Sequence, residues 1–392
     1  ENLDNKILIK QFSNGFSNLT YLLQFENKEF VLRLPPKGAK FGHDMKREFK
    51  VLSRLNKGFD KAPKAILFGN DSIIGRPFYV MENVDGVVLT TKKAFSINIT
   101  ALEYKKIART WLETFIELHN IDFKKIGLND LGKPNGYIDR QIKNWGNQYL
   151  KAKTDEIKEA EKIIKWLEKN KPKKHRHTLI HNDYKYDNVV FSNNSWDKIK
   201  SVLDWEMCTI GDPLMDFGTS LAYWTMDSDH QIIKEILNYP TVKPGNPSRM
   251  ELVEIYESKT KIKINDLVFY YTYGLFKISV IVQQIFYRYN KGLTSNKKFK
   301  DLNKMTKILL HLDIRSLCNV KRSSLIQQCR KAFGCDDFER VRDEALSIDY
   351  KGRRSINEMR LSHPARRLYL LIERYKREFP LGTPIVCACQ HG

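Results

Sequence analysis

Two short apolar segments joined by a polar turn constrain the fold of this chain more than any other stretch. Val189–Phe191 is followed, after the turn, by Val202-Leu203, and both read as β-strands bounded by turn residues. The loop before the first strand contains Asp183 and Asn188, and the second strand ends at Asp204. A fold that brings these segments together also brings together two carboxylates and a carboxamide.

These side chains suit metal-assisted phosphoryl transfer. One acid accepts a proton from an attacking hydroxyl, while the amide oxygen and the other acid hold magnesium on the nucleotide phosphates. Aspartate also caps turns and ends strands, so each residue alone has a simple structural explanation. It is the combination of Asp183, Asn188, Asp204 and Asp216 at this spacing that favours the catalytic interpretation.

The motifs around this unit resemble those of the aminoglycoside phosphotransferase family of small-molecule kinases. They are His181-x-Asp183-x-x-x-x-Asn188, then Leu203-Asp204-Trp205-Glu206, Gly211-Asp212-Pro213 and Asp216. Within that family, the chain is similar to the kinase domains related to those fused to acyl-CoA dehydrogenases. The resemblance covers roughly residues 5–312 and leaves the tail unexplained.

The resemblance implies an α+β, two-lobed protein-kinase-like fold. Residues 1–82 would form an N-lobe with a small antiparallel sheet and one helix. Residues 83–313 would form a large, mainly helical C-lobe with the hinge, the catalytic loop and the acceptor site. Residues 314–392 would be a C-terminal module or tail of unknown role.

The resemblance also implies the reaction and its catalytic residues. ATP would be the co-substrate, Mg²⁺ the cofactor, and a small-molecule alcohol the acceptor. Asp183 would be the base, and Asn188 and Asp204 the magnesium ligands. His181 would support the loop, and Glu206 would touch the metal or the acceptor.

The nucleotide phosphates would lie under the first turn of the N-lobe. The resemblance places Ser17 and Asn18 beside them, although this turn has a single glycine, Gly15, and an ordinary hairpin would look much the same. Arg33 stands where protein kinases carry a lysine; its forked, permanently charged group can still bridge phosphate and carboxylate. Glu48 falls where a kinase carries the carboxylate that orients this cation. The alternatives are a surface arginine and a solvated glutamate.

The segment after the second of two later strands resembles the hinge between kinase lobes. Glu82 and Val84 are the expected backbone partners of the adenine edge. A hairpin turn at Asp85-Gly86 is the structural alternative, and it is compatible with the hinge.

Hydrophobic periodicity predicts the remaining elements. The predicted strands are Ile7–Ile9, Leu19–Phe25, Phe30–Leu34, Pro63–Phe68, Pro77–Met81 and Thr178–Ile180. The predicted helices are Asp44–Lys57, one through Ile107, Trp111, Phe115 and Leu118, then Asp155–Lys169, Leu214–Trp224, Ser248–Lys259, Ile264–Tyr289 and Lys297–Leu312.

The acceptor side is less clearly marked in the sequence. Tyr137, Arg140 and Trp145 are candidate substrate contacts, although a helix that packs aromatics inward predicts the same letters. By resemblance, Asp216 braces the catalytic loop from below. Hydroxyacyl thioesters, aminoglycosides, choline-like alcohols and sugars are the acceptors that the resemblance suggests, and the dehydrogenase-linked likeness favours a hydroxyacyl-CoA.

The formal net charge of +21 raises the question of nucleic-acid binding, because clustered Lys and Arg release counterions from phosphate backbones. The lysines occur as dispersed pairs such as Lys92-Lys93 and Lys297-Lys298, and no nucleic-acid motif is present. We therefore expect solvated lysines and no nucleic-acid partner, and the excess charge favours anionic substrates. A basic nucleic-acid-binding protein remains an alternative that salt dependence would test.

Composition predicts a cytoplasmic protein without a transmembrane segment. No run approaches the roughly 18 apolar residues that cross a bilayer. Glu1–Asn5 has neither the basic start nor the apolar core of a signal peptide. Of the six cysteines only Cys208 precedes residue 318, which argues against a fold built on disulfides.

The composition changes abruptly near Ile314. From there on the chain has 4 Lys and 12 Arg, against 42 Lys and 9 Arg before it. The segment His363–Phe379 is a candidate amphipathic helix, for packing on the kinase lobe or for binding a membrane surface or partner. Cys387, Cys389 and His391 are spaced too closely for a usual zinc site.

Two further functions are open at the catalytic motif. A pseudokinase would bind nucleotide without turnover, which would explain the glycine-poor turn and Arg33. A metal hydrolase built on His177, His181 and Asp183 is the other, although the two histidines flank an apparent strand rather than lying on a helix face.

Overall fold

The computed structural model describes residues 7–12, 18–26, 28–36, 44–193, 195–229, 234, 239–294 and 299–311. They belong to one structural unit, residues 1–314. The predictions for Ser17, Gly15 and the tail 314–392 lie outside the described residues.

The N-terminal lobe is built on a five-stranded antiparallel sheet. Its strands are β1 (Leu8–Gln11), β2 (Leu19–Phe25), β3 (Lys28–Leu34), β4 (Ala65–Gly69) and β5 (Phe78–Glu82). The order across the sheet is β1-β2-β3-β5-β4. In the register of β3 and β5, Arg33 lies opposite Tyr79, and Phe30 lies opposite Glu82.

The helix α1 (Met45–Leu55) crosses from β3 to β4 and packs on this sheet. Asp44 caps its N-terminus by accepting a hydrogen bond from the Arg47 N–H at 2.9 Å. Side chains alternate across β3, so Val31 joins the main core with Leu52 of the helix, whereas Leu34 joins a smaller cluster. The same alternation that buries Val31 therefore directs Arg33 towards α1.

A second, three-stranded sheet lies beyond the hinge. Its strands are β6 (Val87–Val88), β8 (Val189–Phe191) and β9 (Ile199–Val202), all antiparallel. The strand β7 (Thr178–Ile180) pairs separately with β10 (Thr209–Gly211). Gly86 is required where the hinge meets β8, because a Cβ atom there would lie 2.4 Å from Val190 Cγ1 and 2.5 Å from the Phe191 carbonyl oxygen.

The C-terminal lobe is mainly helical, as the family resemblance implies. A short helix, α2 (Asp71–Ile74), lies between β4 and β5 of the N-lobe. In the described part of the C-lobe, the helices are α3 (Thr91–Ser96), α4 (Ala101–His119), α5 (Tyr137–Ala152), α6 (Lys158–Lys169), α7 (Pro213–Tyr223), α8 (Arg249–Thr260) and α9 (Leu267–Asn290). Residues 302–311 are helical as well. The apolar positions predicted for α4, such as Trp111 and Phe115, are fully buried.

The sequence interpretation differs from the structure mainly at α5. The sequence offers a helix around Tyr137 and Trp145 only as the alternative to acceptor contacts and gives it no bounds, and the helix predicted to begin at Asp155 begins at Lys158. The N-cap of α5 is Gly136 in a left-handed conformation, with no side-chain cap. The usual start signal of a helix is therefore missing.

Helices α7 and α9 cross with their backbones in contact. A Cβ atom on Gly218 would lie 2.2 Å from the Tyr270 carbonyl oxygen, and one on Gly274 would lie 2.4 Å from the Gly218 carbonyl oxygen. Only glycine allows this approach. The crossing brings α9 beside the catalytic loop.

Across the residues that the structure describes, every helix falls short of the length and apolar character that a bilayer crossing requires.

Candidate active site

The antiparallel hairpin of β8 and β9 brings the two predicted metal ligands to one end. Val189 pairs with Val202, so the residue before the first strand and those after the second are neighbours. The Leu203 N–H donates to the Asn188 carbonyl at 2.8 Å. Asp204 follows directly and has a positive φ of 63°, which is uncommon for a residue with a side chain.

Asp183 lies against Asn188 in the loop that precedes β8. The Asn188 Nδ2 group donates to the Asp183 carbonyl and to Asp183 Oδ2, both at 2.8 Å. Since both bonds use the side-chain amide nitrogen of Asn188, the amide oxygen is directed away from Asp183. That oxygen is of the kind that coordinates magnesium.

His181 links the catalytic loop to the strand that leads to Asp204. Its Nδ1 accepts a hydrogen bond from the Asp183 N–H at 3.2 Å, so the proton is on Nε2, which donates to the Leu203 carbonyl at 2.8 Å. Both ring nitrogens are therefore occupied. This arrangement leaves no nitrogen of His181 for the zinc site that a metal hydrolase would need.

The described residues contain no cluster of three or more His, Cys, Asp or Glu side chains suited to a metal ion. The candidate magnesium site uses instead one carboxylate and one amide oxygen, from Asp204 and Asn188. Magnesium usually keeps several water and phosphate ligands, so two protein ligands are enough.

Asp216, fully buried in the first turn of α7, accepts hydrogen bonds from the catalytic loop. The His181 N–H donates to Asp216 Oδ2 at 2.6 Å, and the Asn182 N–H donates to Oδ1 at 2.8 Å. The side chain that caps α7 is Asp212, which accepts from the Leu214 N–H at 2.7 Å. Asp216 thus lies where the resemblance placed it, under the loop.

Arg33 is almost fully buried between three carboxylates. Its Nη1 and Nη2 donate to Asp204 Oδ1 at 3.1 and 3.0 Å, and Nη2 lies 3.4 Å from Glu206 Oε2. Its Nε lies 3.7 Å from Glu48 Oε2. Burial works against the charged form, but the acidic neighbours, Tyr79 among them, outweigh it and raise the pKa of Arg33.

Glu48 is held on α1 by neutral donors as well as by the arginine. The Tyr79 hydroxyl donates to Glu48 Oε2 at 2.9 Å, and the Asn18 amide donates to Oε1 at 3.1 Å. Burial raises the pKa of Glu48, and Arg33 opposes that shift. The predicted ion pair between the strand cation and the helix carboxylate is present.

Asn18 and Arg47 connect the N-lobe to the segment after Asp204. The Asn18 amide, besides contacting Glu48, donates to Glu206 Oε2 at 3.0 Å. Arg47 Nη1 donates to the Glu206 carbonyl at 3.2 Å, and its Nη2 donates to the Cys208 carbonyl. The role predicted for Asn18, beside the nucleotide phosphates, stays a prediction.

The two predicted hinge residues, Glu82 and Val84, differ in their backbone contacts. The Glu82 N–H donates to the Lys64 carbonyl at 3.0 Å, and Glu82 Oε1 accepts from the Lys64 N–H at 3.0 Å. Within the described part of the chain, the Val84 backbone has no hydrogen-bond partner. Its groups are available to a ligand.

Lys185 is a site residue that the sequence interpretation missed. Its Nζ lies 3.2 Å from Asp183 Oδ2 and 4.7 Å from the centroid of the Tyr223 ring. Burial alone would raise the pKa of Asp183, but the positive charge of Lys185 and other neighbours holds it below its usual range. A basic residue two positions after the predicted base was the available signal.

Two of the three predicted acceptor contacts are core residues. Tyr137 and Trp145 are 2% and 7% exposed, and the Tyr137 hydroxyl donates to Asn182 Oδ1 at 3.4 Å. Arg140 donates to the Asn135 and Lys133 carbonyls near the start of α5. The alternative explanation, a helix with inward aromatics, describes α5.

Comparison with known proteins identifies related chains. A model described as "Phosphotransferase enzyme family" matches residues 8–253. Acyl-CoA dehydrogenase family member 10 of Mus musculus is 29% identical over 306 residues, 77% of this chain and 28% of that protein. Acyl-CoA dehydrogenase family member 11 of Rattus norvegicus is 33% identical over 299 residues, 74% of this chain and 38% of that protein. The chain thus spans less than half the length of these relatives.

Solved structures show the same fold. A Ralstonia eutropha protein assigned as an aminoglycoside phosphotransferase aligns with a TM-score of 0.67 and 28% identity, covering 81% of this chain and 94% of that one. The GDP and kanamycin complex of an aminoglycoside phosphotransferase, APH(2″)-IIIa, aligns with a TM-score of 0.52 and 16% identity, covering 80% and 95%. Because the second structure is only 16% identical to this chain, its likeness supports the fold alone.

The family match covers both the sheet that carries Arg33 and the loop that carries Asp183. It therefore spans the N-lobe and the catalytic hairpin of the C-lobe together. This chain belongs to the phosphotransferase enzyme family of aminoglycoside phosphotransferase-like small-molecule kinases.

Proposed function

We propose that this protein transfers the terminal phosphate of ATP to the hydroxyl group of a small molecule, with Mg²⁺ as cofactor. The observation that carries the proposal is a set of linked contacts. Asp183 is bonded to Asn188, and Asn188 to Leu203, the residue before Asp204, while Arg33 contacts both Asp204 and Glu48. This set combines a base, two oxygen ligands for a metal and a cation for phosphates, which are the parts that phosphoryl transfer needs.

Asp183 is the proposed base. Its carboxylate is held ionised at neutral pH by its cationic neighbours and is oriented by Asn188. It accepts the proton of the acceptor hydroxyl as that oxygen attacks the terminal phosphorus in line. Lys185, beside the same carboxylate, is placed to balance the charge that gathers around the transferred phosphoryl group.

Asn188 and Asp204 are the proposed magnesium ligands. The donor set fits magnesium. Asn188 donates both bonds from its side-chain amide nitrogen, so its amide oxygen can coordinate a metal, and Asp204 accepts from Arg33 with Oδ1. In the described part of the chain, Asp204 Oδ2 has no hydrogen-bond partner. Magnesium bound there would neutralise charge on the nucleotide phosphates.

Arg33, oriented by Glu48, is proposed to bind the inner phosphates, with Ser17 and Asn18 beside them. Its planar fork suits phosphate oxygens, and burial strengthens such contacts. Val84, through its backbone groups, and Glu82, through its carbonyl, are proposed to bind the adenine edge. The nucleotide in the related GDP complex belongs to that protein, and we carry nucleotide use to this chain as part of the proposal.

A hydroxyacyl-CoA thioester is the proposed acceptor. The relatives that match the chain are named as acyl-CoA dehydrogenase family members, and a kinase domain joined to such an enzyme would act on a related thioester. The net charge of +21 favours an anionic substrate. An alcohol without the coenzyme is the competing acceptor class.

The decisive experiment measures ADP release with Mg²⁺ and ATP against a panel of alcohols. The panel contains hydroxyacyl-CoA thioesters, the matching free hydroxy acids, aminoglycosides, choline and sugars. We expect acceptor-dependent ADP release with the thioesters and none when magnesium is omitted. Replacing Asp183 with Asn should lower the rate by about 10²–10⁴-fold, the usual contribution of a general base.

Asp130→Asn is the matched control, because Asp130 is exposed and pairs only with Lys50 among the described residues. It should leave the rate unchanged. Preference for a different alcohol would refute the thioester assignment but keep the kinase. Equal rates for the wild type and Asp183→Asn would refute the role of Asp183 as the base, and the absence of acceptor-dependent ADP release from the wild type would refute the kinase.

A pseudokinase is the second candidate, because Arg33 is bonded to the proposed metal ligand Asp204 rather than free to meet phosphate. If this contact persists with nucleotide bound, the Arg33 guanidinium is not available to the phosphates. Nucleotide binding without release of ADP from ATP in the presence of any alcohol, and without an effect of Asp183→Asn on that binding, would favour this candidate.

A further inference from the structure

Lys277 is a buried lysine that the proposed chemistry does not use. It lies in α9 and is 1% exposed, in an otherwise apolar run from Phe276 to Val282 broken only by Ser279. Lysine is almost never fully buried unless it is paired. Among the described residues, no carboxylate lies within 4.0 Å of its ammonium group. Another contact must account for its position.

The ammonium group is bound to the catalytic loop. Lys277 Nζ donates to the Asn182 carbonyl at 2.5 Å and lies 3.4 Å from Asn182 Oδ1. The same group lies 5.8 Å from the centroid of the Trp145 ring, a distance at which a cation is attracted to the ring face. Lys277 thus connects two helices of the C-lobe with one backbone carbonyl.

That carbonyl belongs to the peptide that leads into the base. Lys277 holds the carbonyl end of the Asn182–Asp183 peptide, and His181 Nδ1 accepts from its N–H end at 3.2 Å. Asn182 has a φ of 69°, a left-handed conformation that costs free energy in a residue other than glycine. Rotation of this peptide would turn the Asp183 side chain, so contacts at both ends fix its direction.

We propose that Lys277 is a positioning residue that holds the Asn182–Asp183 peptide and thereby directs the Asp183 carboxylate at the acceptor hydroxyl. This inference rests on the proposed function and adds a residue to it. Lys277 acts through the loop and touches neither nucleotide nor acceptor.

The contact with the Asn182 carbonyl requires a hydrogen-bond donor, which lysine supplies and an apolar residue does not. Burial lowers the pKa of Lys277 to about 8, so the ammonium form is held at a cost. The bond to the Asn182 carbonyl offsets part of that cost, and an apolar side chain could not donate to this carbonyl. The burial of Lys277 and the position of the catalytic loop are therefore coupled.

The test compares Lys277→Met with Arg288→Met, which removes an exposed charge from the same helix. The probes are MgATP with the acceptor found in the panel, and MgATP alone with water as acceptor. For Lys277→Met we expect kcat to fall by about 10²-fold, the effect of a misplaced reacting group. The KM for ATP should change by less than about threefold, and Arg288→Met should match the wild type.

Hydrogen exchange supplies a readout that does not depend on activity. In Lys277→Met, amides of residues 181–188 should exchange faster, while those of α5 and the rest of α9 keep their protection. Unchanged kcat with unchanged exchange would overturn the inference. General loss of protection across α5 and α9 would also overturn it, since Lys277 would then be an ordinary structural residue.

If Lys277→Met does not fold, Lys277→Gln gives the same comparison, because it removes the ammonium group and shortens the side chain. Failure of the proposed function gives a different result from failure of this inference. If the protein is not a kinase, the wild type transfers no phosphate, and the hydrogen-exchange rates of Lys277→Met and the wild type still test whether Lys277 positions the loop.

Discussion

Arg33 and Lys185 each neutralise a carboxylate that is largely shielded from water. Arg33 contacts Glu48 and Asp204, and Lys185 contacts Asp183. Removing one member of a buried ion pair lowers the stability of the protein strongly, because the other charge is left without a partner. At this scale, stability and chemistry therefore depend on the same side chains.

Replacing Arg33 with Met should destabilise the protein by about 3 kcal/mol, the usual cost of breaking a buried ion pair. Glu48, 2% exposed, would lose its cation. Denaturant unfolding measures the change. Arg109→Met is the control, because Arg109 is 73% exposed and paired only with Glu113 in the described residues, and it should cost less than about 0.5 kcal/mol. Equal losses for the two variants would contradict the prediction.

Asp212 should make stability depend on pH. Burial raises its pKa from 3.8 to about 7, so the folded protein keeps a proton that the unfolded chain releases. Between these values stability falls as pH rises, because the native state binds more protons. Asp212→Asn is neutral throughout and caps α7 equally well. The free energy of unfolding of Asp212→Asn should equal that of the wild type near pH 4 and should exceed it by roughly a few kcal/mol at pH 7.

Asp130→Asn serves as the control for this series too. Asp130 is exposed, and Lys50 lowers its pKa, so its stabilising contribution is lost only below the usual carboxyl range. A pH series of unfolding curves tests both variants. A constant difference between Asp212→Asn and the wild type from pH 4 to pH 7 would show that Asp212 ionises normally.

Helices α7 and α9 form the element pair on which the catalytic loop rests. Asp216 on the first and Lys277 on the second contact the two sides of Asn182. Gly218 and Gly274 set the distance between the helices by backbone contact. The spacing of the helices therefore governs how the loop is held.

Gly274→Ala should destabilise the protein and lower its activity. Its methyl group would meet the Gly218 backbone, and overpacking of this kind costs about 1–3 kcal/mol. Gly146→Ala in α5 is the matched control: its methyl group would have only ordinary contacts, 3.6 Å from Ile164, and alanine favours the helix by up to about 1 kcal/mol. Thermal unfolding should give opposite signs, and the same sign would refute the packing argument.

Hydrophobic periodicity and motif spacing predict many of the strands and helices from the sequence. The strand alternation around Arg33 and the apolar stripe of α4 were both readable in the sequence. Helix α5 is only an alternative in the sequence because its start has no capping side chain, although Ile138, Ile142 and Tyr149 follow a helical spacing. Lys277 was missed because its partner is a backbone carbonyl 95 positions away, and such a contact leaves no local pattern.

At the scale of the whole molecule, the lobes share one apolar core, and charged and polar side chains join them beside the candidate site. Arg33 binds Asp204, Asn18 binds Glu206, and Arg47 binds the backbone after it. Polar contacts of this kind exchange partners more readily than a packed apolar interface. A ligand that binds between the lobes should therefore stabilise the whole unit.

MgATP at about 100 times its dissociation constant should stabilise the native state by about 2.7 kcal/mol, as mass action requires. The thermal midpoint should rise, and it should rise less when EDTA removes magnesium. In Asp204→Asn, the part of the shift that depends on magnesium should disappear. Equal shifts with and without magnesium in the wild type would remove Asp204 from the metal site.

The bond between the Leu203 N–H and the Asn188 carbonyl has a consequence for the order of events. It joins both proposed metal ligands within one hairpin of the C-lobe, so their separation would not change if the lobes moved apart. Arg33 is delivered by the other lobe. An opened molecule would thus still capture a metal-bound nucleotide, and closure alone would add the guanidinium that clamps its phosphates.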